Sequence, residues 1–361
     1  MEIDIKCRAR RCVLNGNTGE EEALAHAVAI AARCGEPDAR ITDQARLCPA
    51  HVHIRGGHLT INDAEAVWRV KRRLLADKVV LLEVDEARHV RLDHRQLVGE
   101  FRAPSLIALF HPHRVGGVVT LTLSNPAKRN ALSLDVLLAL TTAFDDIGRS
   151  DARGVILAAE GPVFSAGHNF GEMKGASEAD ARHLFTVCSQ LMQTMHSIPQ
   201  PIVARVHALA TAAGCQLVAT CDLAVASESA GFAIPGGKGG LFCHTPLVAV
   251  ARSLTPKRAL EMAMTGDVIS AQTALEWGFI NEVVADDDLE SATQALLERA
   301  CRGSRESKGI GKKAYYQQVS MNESDAYAFA SAVMAEAVVS EVAQEGINAF
   351  LEKRSPNFGG R

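Results

Sequence analysis

The sequence predicts an α/β protein whose larger part is built of alternating strands and helices. Three observations predict it. From Gly117 onward, short β-branched runs alternate with longer helical stretches. The 361-residue chain is 47% hydrophobic and 22% charged, which supplies a sizeable core. Two compositions meet near residue 115: eight of the thirteen histidines lie at or before His113, and four of the nine cysteines at or before Cys48. With the prolines at 104 and 112, this shift places a junction between about 100 and 116.

The first hundred residues read as a small α/β unit. Glu20–Cys34 is alanine-rich and helical in composition. His51–Arg55 and Leu59–Ile61 alternate like strands around the Gly56-Gly57 turn. Asn62 or Asp63 is placed to cap a helix running to Leu75, and Lys78–Val84 reads as a buried strand. Cys7, Cys12, Cys34 and Cys48 with His51 and His53 lack the short paired spacings of a zinc module, so they read as ordinary core or surface residues, and no metal is expected. The basic run Arg69, Lys71, Arg72 and Arg73 is diluted by Asp63, Glu65 and Asp77 and reads as a solvated helix face.

In the larger part, Val118–Ser124 is a strand, and Ser133 caps a helix over Leu134–Ile147 that ends near Gly148. Gly154–Ala159 is a strand, followed by the loop Phe164-Ser-Ala-Gly-His168. Ala179–His196 is helical and stops at Pro199-Gln-Pro201. Ile202–Val206 is a strand, and Thr211-Ala-Ala-Gly-Cys-Gln216 opens a helix that ends near Cys221. Leu223–Ala226 and Phe232–Ile234 are strands, and helices dominate after Thr255. Thr245-Pro246 reads as the cap and first residue of a helix, leaving His244 just before a positive helix end.

Composition excludes some functions. A formal net charge of -4 does not suit a strongly basic nucleic-acid binder. No run of 18 uninterrupted apolar residues exists, so no membrane association is expected. The first residues carry no apolar signal region, and Glu20-Glu21-Glu22 fits an organelle transit peptide poorly; a cytoplasmic protein is expected. Two loops stand out on physical grounds, Phe164–His168 and Ala212–Gly214. Each is a small-residue turn after a strand, and backbone N–H groups in such turns can hold a negative oxygen. Tight packing alone also asks for small residues there.

The combination is more specific than either loop. Asn125-Pro126-Ala-Lys-Arg-Asn130-Ala131-Leu132 comes first, followed by Phe164–Asn169, Pro201–Ala208, Ala212–Gln216 and Cys221-Asp222. Leu260–Gly266, Ile269–Ala274 and Trp277-Gly278-Phe279 come next, and the chain closes on Glu345–Arg354. Order and spacing resemble the crotonase, or enoyl-CoA hydratase/isomerase, superfamily over roughly residues 115–358, and most of all its hydratase-domain-containing branch. The resemblance implies a crotonase-like spiral of ββα turns with a C-terminal helical trimerisation part. The domains would then be a small α/β unit of unknown role at 1–105, a spiral core at 116–255 and a helical oligomerisation region at 256–358. It implies an acyl-CoA or enoyl-CoA substrate in fatty-acid metabolism, with coenzyme A entering as part of the substrate and no covalently bound cofactor. It implies an oxyanion hole, with the thioester oxygen held by the backbone N–H groups of His168 and Ala213 and an enolate stabilised there. Arg129, Ala131, Ala166, His168 and Lys312 fall where the coenzyme lies, Arg129 and Lys312 as candidates for its phosphates. A homotrimer or a dimer of trimers is expected.

Departures from the family pattern are equally informative. The two glutamates that act as acid and base in hydratases fall on Gln216 and Gly236. The family lysine three residues beyond His168 is Gly171. An amide cannot exchange a proton near neutral pH, although it can orient water or a carbonyl. His244 is the candidate substitute base, with Cys243 beside it and pocket lining or loop packing as the other readings. Hydration is expected to be slow and to rise when both glutamates are restored. Two alternatives stay open: a CoA-thioester hydrolase or decarboxylase, and a non-catalytic acyl-CoA binding or regulatory protein.

Overall fold

The computed structural model describes residues 112–358 with their side chains, and before them the backbone of eight strands, the last ending at Val115. The chain divides into two compact units, Met1–Ala103 and Pro104–Arg361. In the first, strands β1 (Asp4–Arg8), β2 (Arg11–Asn15), β3 (Arg40–Ile41), β4 (Val52–Arg55), β5 (His58–Ile61), β6 (Glu83–Val84) and β7 (His89–Arg91) form one sheet in the order β1-β2-β3-β4-β5-β7-β6. The expected hairpin is present: β4 and β5 pair antiparallel, with Arg55 opposite His58. The helices expected at 20–34 and 63–75, and the side chains of the early cysteines and histidines, lie outside the described residues.

The second unit opens on β8 (Phe110–Val115), inside the segment read from sequence as a junction. Gly116 and Gly117, both at positive φ, turn the chain into β9 (Val118–Leu123), and the two strands pair antiparallel. Pro112 hid this strand. It is tolerated because β8 is an edge strand, where a missing N–H breaks no ladder. The main sheet runs β16-β13-β11-β10-β9-β8, with β10 (Gly154–Ala159), β11 (Ile202–Val206), β13 (Leu223–Ser227) and β16 (Glu282–Val284) parallel to β9. It is buried on both faces, as parallel sheets are. One face meets α1 (Leu134–Arg149) and α3 (Glu178–Ser197) around Phe144 and Leu191. The other carries Ile156, Val203 and Val225 against Leu289, Leu296 and Leu297.

The main-sheet strands β9, β10, β11 and β13 are each followed by a short segment of a second layer. Leu132 bridges His168, Ser165 bridges Ala210, β12 (Ala210–Thr211) pairs with β14 (Gly231–Ala233), and β14 pairs with β15 (Ile269–Ser270). After each second-layer segment comes a helix: α1, then α2 (Phe170–Met173) and α3, then α4 (Ala213–Thr220), then α5 (His244–Ser253). The result is a ββα spiral. It is followed by α6 (Pro256–Thr265), α7 (Ala271–Glu276), α8 (Leu289–Ala300), α9 (Arg305–Gln318), α10 (Glu323–Val338) and α11 (Glu341–Leu351). Among the described residues no single helix is long and apolar enough to cross a membrane.

Candidate active site

The site is assembled where three second-layer segments meet. Asn130 staples the first to the second. It sits at φ 50°, a left-handed conformation that asparagine tolerates, and is 2% exposed. Its side chain accepts from Asn125 N (2.8 Å) and donates to the carbonyls of Glu160 (2.8 Å), Val163 (3.0 Å) and Phe164 (3.2 Å). Ser165 Oγ returns a bond to Asn130 O at 2.8 Å, and Ala166 N donates to Arg129 O at 3.0 Å. Ala131 and Ala166 are half-buried within this bracket, while Arg129, also left-handed at φ 52°, is exposed.

This bracket sets the direction of His168. Leu132 N donates to Gly167 O (2.7 Å), and Asn169 N to Leu132 O (3.2 Å). In such a parallel bridge the flanking residues make the bonds, so the N–H of His168 faces the opposite side. That side is the start of α4. A Cβ on Gly167 would lie 2.8 Å from Ala212 Cβ and 2.9 Å from Ala213 N, and one on Gly214 would lie 2.5 Å from Ser165 O. Only glycine permits this approach of loop to helix.

Ala212 turns the chain into α4 at φ 51°, ψ -120°, a conformation that costs a non-glycine residue about 1–3 kcal/mol. It is held by Ala212 N donating to Ala233 O (2.9 Å) and Gln216 N to Ala212 O (3.0 Å). Ala213 is the first helical residue, so its own N–H has no intrahelical acceptor. Among the described residues, neither Ala213 N nor His168 N donates a hydrogen bond. Two unpaired N–H groups on abutting segments can donate to a developing negative oxygen.

The His168 ring is set edge-on to Phe185, centroids 5.2 Å apart, and its Nε2 is buried without a partner. Burial holds its pKa down at about 4, so the ring is neutral near pH 7. The unfolded chain takes up this proton near the ordinary value of 6.5, before the folded protein does. Stability is therefore expected to be unaffected by His168 above pH 6.5, and to fall by about 3 kcal/mol as pH drops from there towards 4. Denaturation of wild type and His168→Phe at pH 7.5 and pH 4.5 checks this: the variant should lose less over the interval.

The remaining predicted residues are placed as follows. Gln216 is buried in α4, where Cys188 Sγ on α3 donates weakly to its Oε1 at 3.8 Å. Burial pushes that thiol up to about 12. Gly236 lies in a 3-10 turn, Pro235–Gly239, and a Cβ there would run into Leu241 O and lie 2.7 Å from Cys243 Sγ. Its N–H donates to that sulfur at 3.2 Å. Cys243, not Thr245, is the N-cap of α5, so His244 is inside the first turn and exposed, its ring 5.1 Å from that of Phe242. Pro246 is accommodated there because a first-turn N–H has no helical partner to lose. Gly171 is exposed, its N–H capped by Asn169 Oδ1 at 3.0 Å. Among the described residues no aspartate or glutamate is fully buried, and no group of three or more metal-binding side chains occurs.

Lys312 is not an exposed cation. Its Nζ is 2.8 Å from Asp222 Oδ2 and donates to Gln200 O at 2.9 Å, with both side chains of the pair largely buried. Two of the three ammonium donors are thus taken by protein groups, which leaves Lys312 paired where a free cation was expected. The Asp222 carboxylate also accepts from Ile202 N (2.7 Å) and Tyr316 OH (2.9 Å).

Residues 113–361 match the family described as enoyl-CoA hydratase/isomerase. The chain belongs to the enoyl-CoA hydratase/isomerase family. It is 44% identical over 243 residues to the mitochondrial enoyl-CoA hydratase domain-containing protein 3 of Danio rerio, covering 67% of this chain and 84% of the relative. Its Homo sapiens counterpart is 42% identical over 245 residues, 67% of this chain and 81% of that one. The crystal structure of human enoyl-CoA hydratase domain-containing protein 3 superposes with a TM-score of 0.65 at 41% identity, over 69% of this chain and all of that one. An enoyl-CoA hydratase of Mycobacterium smegmatis gives 0.67 at 43%, over 69% and 98%. The spiral is thus the crotonase fold. These vertebrate relatives are named mitochondrial proteins, which overturns the expectation of a cytoplasmic protein drawn from the first residues.

Proposed function

We propose that this enoyl-CoA hydratase/isomerase family member binds an acyl-CoA and holds its thioester oxygen between His168 N and Ala213 N, stabilising an enolate without the acid–base pair of a hydratase. One observation carries the reading. The two N–H groups lie on segments that abut through Gly167 and Gly214, and both lack an acceptor among the described residues. Such preorganised donors act on charge as it develops. The side chains around them support binding over hydration: Gln216 cannot exchange a proton, and Gly236 carries nothing. His244 does not lie in the buried part of the site, which disfavours it as a substitute base.

Arg129, exposed on the bracket beside Ala131, is a cation available to the coenzyme's phosphates. Free CoA is expected to bind, more weakly as salt is added, because contacts with exposed charges are screened. Arg129→Glu should weaken binding further. Calorimetry tests this, and no heat of CoA binding at low salt would overturn the ligand assignment.

The C-terminal helices support self-association. α10 has no fully buried residue, and Tyr327, Met334, Val339, Phe350 and Leu351 are each more than two-thirds exposed on α10, α11 and the link between them. Apolar surface on that scale asks for a cover. A homotrimer or a dimer of trimers is expected by light scattering at micromolar concentration, and a monomer would contradict it.

A further inference from the structure

We infer that the buried Lys312–Asp222 pair is a positioning device for the Ala213 donor, fastening α9 to the rear end of the helix whose front end meets the thioester. The inference rests on the enolate-binding reading above. The pair lies directly beyond the C-terminus of α4: Cys221 is the helix's C-cap and Asp222 follows it. His196 Nε2 meets Thr220 O, the last helical carbonyl, at 3.1 Å, and its ring stacks on Tyr316 at 3.6 Å and 9°. Tyr316 in turn donates to Asp222 Oδ1, while Lys312 takes Asp222 Oδ2 and Gln200 O. Two residues of α9 and one of α3 therefore hold one end of α4 and the residue after it. At the other end, Gly214 leaves no slack against Ser165.

Between those ends the helix has eight residues, about 12 Å of continuous hydrogen-bonded rod. A shift at the rear is transmitted to Ala213 N rather than absorbed. Burying a lysine and an aspartate is expensive in desolvation, and apolar residues of similar volume would hold the elements together at least as well. What the charged pair adds is register, because both carboxylate oxygens and the ammonium have fixed partners. α9 is followed directly by α10 and α11, so the same pair ties these exposed apolar helices to the oxygen-binding end of α4.

The test compares affinity for free CoA with affinity for acetoacetyl-CoA, an enolisable thioester, in the full-length protein. CoA alone reads the coenzyme contacts, and the preference for the thioester reads the donors. In Lys312→Met, CoA affinity should stay within about twofold while the preference for acetoacetyl-CoA falls by about tenfold or more, and Lys312→Arg should recover most of it. Loss of CoA affinity with the preference kept would make Lys312 a phosphate ligand and overturn the inference. Neither quantity changing in a folded variant would overturn it too. Should Lys312→Met fail to fold, Tyr316→Phe removes one hydroxyl from Asp222 and keeps the charge pair; it must lower the preference in the same direction, and no change there counts against the inference. A wild-type protein with no preference for acetoacetyl-CoA over CoA refutes the enolate-binding reading itself, a result separate from any variant's.

Discussion

Wild-type protein is expected to hydrate crotonyl-CoA at least about 10² to 10⁴-fold more slowly than the roughly 10 per second ordinary for enzymes. That factor is the loss of a single general acid–base group. The second missing group adds less than its own full factor, because such groups act as a unit. Gln216→Glu alone should help little. The new carboxyl would sit at a nearly sealed position beside the Cys188 thiol, where burial favours its protonated form. From the sequence, restoring both glutamates is expected to raise hydration; the structure changes that expectation. Gly236→Glu drives its Cβ onto Leu241 O and against Cys243 Sγ, one a backbone atom and the other packed. It should cost about 1–3 kcal/mol of stability and leave hydration unrestored in the double variant. Steady-state turnover of crotonyl-CoA with thermal denaturation of each variant checks both halves. Efficient wild-type hydration would contradict the reading of Gln216 and Gly236.

Gly214→Ala is expected to disable the donor pair with a single methyl group. The added carbon would stand 2.5 Å from Ser165 O and 2.7 Å from Ser165 Cβ, in a loop already committed to Asn130 and Ala210. Loop and helix must separate by about an ångström, and overpacking of this kind costs about 1–3 kcal/mol. Separation moves His168 N away from Ala213 N. Losing one donor of such a pair typically costs about 10² to 10³-fold in the stabilised state. The preference for acetoacetyl-CoA over CoA should fall accordingly, while CoA affinity, which we propose depends on Arg129, should change little. A folded Gly214→Ala protein with wild-type preference would show that the two N–H groups do not act together.

Much of the spiral was legible because its punctuation is chemical. Gly154 and Pro201 bound β10 and β11, and Ser133 caps α1 as a short polar residue should. Other features needed three dimensions. Gly148 stands one residue before the end of α1, as expected, but its smallness has a second reason: it admits Ile198, whose Cγ2 would lie 2.9 Å from an added Cβ. A lysine on a late helix reads as a free cation until the partner 90 residues earlier in the chain is seen, and nothing in the spacing announces Asp222. Asn130 was read as part of a motif, but its four bonds across the bracket follow only from the left-handed backbone at that position. Gly236 was read as a missing side chain; the structure shows a backbone that leaves no room for one.

A crystal structure with acetoacetyl-CoA bound tests the central claim most directly. The account predicts the thioester oxygen about 2.7–3.1 Å from both His168 N and Ala213 N. It also predicts Gln216 as the polar side chain facing the acyl group, with no aspartate or glutamate within hydrogen-bond reach of the α or β carbon or of a water beside them. A thioester oxygen bound anywhere else, or a carboxylate poised at either carbon, would contradict it.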